Sequence, residues 1–173
     1  MAECNEGFAR VRAIQEIEYL RRWYAKATDM IGEGSESSIR EGREIYHRVF
    51  AEDAVLSTGA EDLSGPDAWV ELVKQVLGPL GPTQHLIGTQ VVDLEEHELD
   101  GQCNLVSGFA RMESYVQAWH EMPDEKVWLY LGTYFDEARF TPGIGWQIHG
   151  MKMQQIAGET RYMDAAVGRA ERL

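Results

Sequence analysis

Asp29 and His85 are the residues of this chain whose types and placement best suit chemistry. Asp29 lies where an amphipathic N-terminal stretch runs out. His85 opens an apolar segment, Thr83-Gln84-His85-Leu86-Ile87-Gly88-Thr89-Gln90. An aspartate beside an imidazole fixes which ring nitrogen carries the proton and stabilises the protonated ring. Such a pair is a general base that needs no metal or organic cofactor. Each residue also has a plainer reading, Asp29 as a solvated helix end and His85 as a hydrogen-bonded core histidine. Whether the two meet in space separates the readings.

The elements that must bring them together are legible as helices first and strands after. Apolar residues at Phe8, Val11, Ile14, Ile17, Leu20, Tyr24, Ala27 and Ile31 recur at the three-and-four spacing of one helix face, predicting a first helix over about 6–30. Ser35 and Ser37 can cap a second, near 38–50, and Ser64-Gly65-Pro66-Asp67 starts a third that ends at the Gly78-Pro79 and Gly81-Pro82 breakers. Ala54 to Thr58 reads as a short strand. After Pro82 four stretches are strand-like, about 83–94, 101–120, 126–140 and 146–157, joined by turns at Asp100-Gly101, Met122-Pro123-Asp124 and Thr141-Pro142-Gly143. Short turns between consecutive strands predict an antiparallel meander. A short helix is expected from Glu159 onward, and the tail 158–173 as a cover for an opening. With no repeat or linker, 1–173 reads as one α+β domain.

Composition narrows the function. A net charge of −13 over 173 residues argues against nucleic acid and anionic membranes as partners. No run of about 18 apolar residues suggests a membrane span. The N-terminus lacks the basic and apolar regions of a signal peptide, and the two cysteines, Cys4 and Cys103, form no CxxC, so reduced thiols and a cytoplasmic location are expected. Among the five histidines there is no HxH, HExxH or facial-triad spacing, so no metal is expected. GxGxxG, P-loop and GxSxG motifs are also missing.

Ala13-Ile14-Gln15-Glu16-Ile17, Tyr24-Ala25-Lys26-Ala27-Thr28-Asp29, Val49-Phe50-Ala51-Glu52-Asp53-Ala54, Ser64-Gly65-Pro66, Thr83-Gln84-His85 and Gly145-Trp146-Gln147-Ile148 together resemble the SnoaL-like branch of the NTF2-like superfamily. The resemblance spans nearly the whole chain and implies a cone: three N-terminal helices against a curved, mostly antiparallel sheet, with an apolar cavity at the open end. Within the branch it extends to the scytalone dehydratases and hexachlorocyclohexane dehydrochlorinases, lyases without a cofactor that work through an Asp–His dyad. It implies catalytic roles for Asp29 and His85, and Tyr24 as a substrate-lining residue. Thr28, Thr58, Phe109 and Tyr134 stand where a scytalone dehydratase has two tyrosines, a second histidine and an asparagine, so scytalone is not the expected substrate. Relatives also imply a homo-oligomer, trimer or dimer.

Strand alternation supplies the rest of the expected pocket. Trp128, Tyr130 and Tyr134 share a face with Gly132; Cys103, Leu105, Ser107 and Phe109 share another; His149, Met151, Met153 and Gln155 share a third. Turned inward, these faces make an aromatic, methionine-lined pocket for a small apolar, aromatic or polycyclic substrate; turned to the core, they are packing. Tyr24, Phe109, Trp128, Tyr130, Tyr134, His149, Met151 and Met153 are the candidate substrate contacts. His120 is placed near a hairpin end, and Arg111 at the mouth or in a surface salt bridge. The expected reaction is an elimination losing water or halide, or formaldehyde by retro-aldol cleavage. The alternatives are an isomerase using the same base and a non-catalytic binding or structural subunit.

Overall fold

The computed structural model describes residues 5–162 and sets three helices against one six-stranded sheet. Helix α1 (Glu6–Glu33) buries Ile17, Tyr24, Ala27 and Ile31 of the face that the spacing predicts, and Ala13 in place of Ile14. Asn5 caps its start by accepting from the Phe8 N–H. Gly34 closes it in the left-handed conformation, φ 85°, with its N–H on the Ile31 carbonyl. Asp29 therefore lies about a turn inside the helix, not at its end, because Gly34 is the residue that can adopt the terminating geometry. Phe8 and Val11, expected on the apolar face, are exposed.

Helix α2 (Glu36–Val49), capped by Ser35, runs into strand β1 (Phe50–Ser57). Strand β2 (Asp62–Ser64) precedes α3 (Gly65–Leu77), with Pro66 in its first turn. Long hairpins follow: β3 (Thr83–Leu99), β4 (Leu105–Met122), β5 (Lys126–Thr141) and β6 (Gly145–Tyr162). They turn where the sequence expects, with Asp124 and Glu125 both at positive φ between β4 and β5. The sheet order is β2-β1-β6-β5-β4-β3. Every pairing is antiparallel except β1 with β6, a parallel contact between distant segments that no local pattern announces. Residues 159–162 stay in β6, paired to β5 through Trp128–Thr160 and Lys126–Tyr162, where the sequence predicts a helix. The tail predicted to cover the opening otherwise lies outside the described residues.

The inner face of β4 is its even-numbered one, with Gly108, Ala110, Met112, Ser114, Val116, Ala118 and His120 all buried. Small residues there let the layers close up. A Cβ on Gly108 would stand 2.5 Å from the Trp146 ring. One core cluster joins the three helices to β1, β4, β5 and β6; a second gathers Ile17, Leu94, Met112 and Trp146. Cys103 is disulfide-bonded, against the expectation of reduced thiols; Cys4 lies outside the described residues. No helix among the described residues is long and apolar enough to cross a membrane.

Candidate active site

Helix α1 and the first turn of β3 bring Asp29 and His85 together. The His85 Nδ1 stands 2.7 Å from the Asp29 Oδ1, and the His85 backbone N–H donates to the same carboxylate at 3.1 Å. The histidine side chain is 7% exposed and the aspartate 18%. A carboxylate only accepts, so Nδ1 carries the ring proton and the lone pair resides on Nε2. That is the tautomer of a general base.

Beside His85 stands His120, a residue that strand parity places on the inner face of β4. The two rings meet edge to face at 5.3 Å, and the His120 ring stacks on Trp128 at 4.6 Å. Its Nδ1 pairs with the Thr83 hydroxyl at 2.6 Å. Burial, with a smaller contribution from His85, pushes the His120 imidazole down to about 4, so it is neutral at physiological pH. Placing His120 at a hairpin end misses this role. The available signal was its even spacing from Ala118 and Val116.

Both histidines line a cavity of about 300 Å³. Helix α3 supplies Trp69, Leu72 and Val76; α1 supplies Tyr24 and Thr28; the β1–β2 turn supplies Thr58 and Glu61. From the sheet come Trp128, Tyr130, Tyr134 and Met153. The walls are apolar and aromatic, with few polar groups, which suits a ligand of one or two rings.

Five of the predicted substrate contacts thus share this cavity: Tyr24, Trp128, Tyr130, Tyr134 and Met153. Three do not. Phe109 lies on the outer face of β4, its ring beside the Arg111 and Arg139 guanidiniums, because the even positions turn inward. His149 sits where the β5–β6 register slips between Glu137 and Ala138; it turns toward Asp53, 3.8 Å away. Met151 is buried in the core, its sulfur 3.4 Å from Arg21. Arg111 pairs on the surface with Glu95 and Glu137.

Behind the cavity lies an ion pair that the sequence reading did not find. Arg21 and Asp136 are fully buried and joined by two hydrogen bonds, one of 3.1 Å from Nε. The guanidinium lies 4.4 Å from the Tyr24 ring centre and 4.0 Å from that of Tyr134. Burial raises the Asp136 carboxyl above its ordinary range, and Arg21 opposes the rise. The pair braces two cavity tyrosines from behind. An arginine inside the apolar face of α1 reads as a break in the pattern, and its partner is set by β5 far along the chain. Among the described residues, no group of three or more His, Cys, Asp or Glu side chains is arranged to hold a metal ion.

A cone of three helices and a curved six-stranded sheet, opening on a cavity with a buried imidazole–carboxylate pair, is the NTF2-like architecture. Residues 42–152 match the SnoaL-like domain model, and the chain belongs to that family. In fold the chain is similar to LinA, with a TM-score of 0.72 at 13% identity, covering 97% of this chain and 100% of that one. It is also similar to the LinA-type3 hexachlorocyclohexane dehydrochlorinase of Novosphingobium barchaimii, with a TM-score of 0.71 at 12% identity over 96% and 99% of the two chains. A candidate scytalone dehydratase from Novosphingobium aromaticivorans gives 0.63 at 20% identity over 95% and 97%. At these identities the likeness carries the fold alone. No curated protein matches the chain in sequence.

Proposed function

We propose that the protein is a lyase that needs no cofactor and acts on a small, apolar, ring-containing substrate. His85 removes a proton from the substrate carbon through Nε2. Asp29 holds the ring and stabilises the imidazolium that forms. The C–H electron pair forms the new double bond as halide leaves as the anion, or as a hydroxyl takes the proton back from the imidazolium and leaves as water. In a retro-aldol variant His85 instead takes the proton of a hydroxymethyl group, the C–C bond breaks to release formaldehyde, and the carbanion takes up that proton. The observation that carries this reading is the 2.7 Å contact between the His85 Nδ1 and Asp29 at the wall of an apolar cavity. The apolar lining lowers the local dielectric and strengthens the pair's interaction. The neutral His120 ring beside His85 adds no second positive charge that would oppose protonation of the base. The dehydratase and dehydrochlorinase among similar folds support the reaction class.

We further infer a homo-oligomer. Leu86, Tyr115, Leu131, Phe135 and Ile156 are exposed together on the outer face of the sheet, an apolar surface that a second copy would cover.

The reaction is tested by incubating cyclic aromatic alcohols and halides with the protein in chelator-treated buffer. A new conjugated absorption, matched by release of the leaving group, is expected. A panel that yields no product with wild type, or product only after a metal is added, contradicts the proposal.

A further inference from the structure

Helix α1 carries a glycine that its own ending does not require. Gly34 supplies the left-handed terminus, whereas Gly32, two residues earlier, is buried within the helix. Alanine is intrinsically favoured over glycine inside a helix, so the reason for Gly32 lies outside it. That reason is close approach. A Cβ on Gly32 would stand 2.8 Å from the Thr83 methyl carbon, 3.3 Å from the Leu77 Cβ and 3.4 Å from the Leu77 Cδ1. Gly32 is therefore the point where the start of β3 and the end of α3 close onto α1.

Thr83 is not free to swing its methyl aside. Its side chain branches at Cβ, and the other branch is held, Oγ1 pairing with the His120 Nδ1 at 2.6 Å. Rotation that clears a new Cβ breaks this bond, so the displacement passes to the backbone at the start of β3. Carbon atoms rest at about 3.5–4.0 Å, so relieving the clash parts α1 and β3 by roughly half an ångström. His85 lies two residues along that strand, and Asp29 three residues back along α1, nearly one turn. The backbone N–H of His85 reaches the Asp29 carboxylate at 3.1 Å, and the same shift carries it out of hydrogen-bond range.

We propose that Gly32 and Thr83 are positioning residues of the dyad. The absent side chain of one and the pinned methyl of the other set the gap between α1 and β3, and with it the distance from Asp29 to His85. Neither residue lines the cavity. The proposal rests on the reading of Asp29 and His85 as a working pair, and its test needs no substrate.

Two substitutions compensate if the contact is what matters. Gly32→Ala introduces the clash; Thr83→Ser removes the methyl and keeps the hydroxyl that His120 uses. Amide exchange and long-range 1H–15N spectra of His85 read the gap. In Gly32→Ala the His85 amide exchanges about tenfold faster, the worth of one hydrogen bond. Its ring Nδ1 proton moves upfield as the bond to Asp29 lengthens. Thr83→Ser alone matches wild type, and Gly32→Ala/Thr83→Ser returns both signals toward it. A folded Gly32→Ala protein with wild-type His85 signals, or a double variant as perturbed as Gly32→Ala, overturns the proposal. If Gly32→Ala does not fold, a folded double variant with wild-type signals is the predicted result, and an unfolded double variant contradicts it. Signals that follow the variants in a protein that eliminates nothing contradict the lyase reading alone. Elimination by wild type together with unchanged His85 signals in Gly32→Ala contradicts the positioning role alone.

Discussion

The Asp29 carboxylate accepts twice from one residue, taking the His85 ring N–H at 2.7 Å and the His85 backbone N–H at 3.1 Å. The second bond ties the carboxylate to the start of β3, so ring and strand are oriented together. An asparagine keeps an acceptor but adds an N–H₂ that faces the ring equally well. Wild type is therefore expected to show His85 protonated on Nδ1 alone at neutral pH in a long-range 1H–15N spectrum, and Asp29→Asn to show a mixture of tautomers. A wild-type ring protonated on Nε2 would remove the basis for base catalysis.

His120 makes stability fall in mild acid. Its folded value of about 4 lies below the ordinary 6.5, so between these pH values the unfolded chain takes up a proton that the folded one refuses. The contribution is constant above 6.5 and declines as pH drops toward 4, by at most about 1.4 kcal/mol per unit. Denaturant melts of wild type and His120→Gln across this range should differ in slope, the variant being flatter. Parallel curves would show that His120 titrates normally in the folded state.

Arg21 and Asp136 are expected to matter as a pair. Asp136→Ala strands a buried guanidinium and should cost about 3–5 kcal/mol, a fall in Tm on the order of 10 °C. The double variant Arg21→Met/Asp136→Leu removes both charges and should melt closer to wild type than Asp136→Ala does. A double variant less stable than the single one would show that the charges themselves hold the tyrosines.

The outer sheet face supplies a prediction about assembly. Sedimentation should report a dimer or trimer for wild type, and Leu131→Glu should shift it toward monomer with its circular dichroism unchanged. A monomeric wild type at micromolar concentration contradicts the homo-oligomer.

Much of the cone was legible because its signals are local. The period of α1, the Ser64-Gly65-Pro66 start and the turns at Asp100 and Asp124 depend on neighbours in sequence. Within the strands, parity was readable for β5, where Trp128, Tyr130 and Tyr134 line the cavity while Leu131 and Phe135 between and after them are exposed. It failed on β4, where both faces carry apolar residues and the inner one is marked by smallness, Gly108 and Ala110 against Trp146 and its neighbours. It failed again on β6, where the slipped register takes His149 out of the alternation that carries Met151 and Met153 inward. The Arg21–Asp136 pair and the β1–β6 contact depend on chain closure over long separations, which spacing does not encode.

Turnover by His85→Ala tests the central claim most directly. On any substrate that the elimination screen yields, His85→Ala and Asp29→Asn should each lose about 10²–10⁴-fold in kcat, the usual share of a positioned base, with thermal unfolding within a few degrees of wild type. A folded His85→Ala protein that turns over at the wild-type rate would contradict the account.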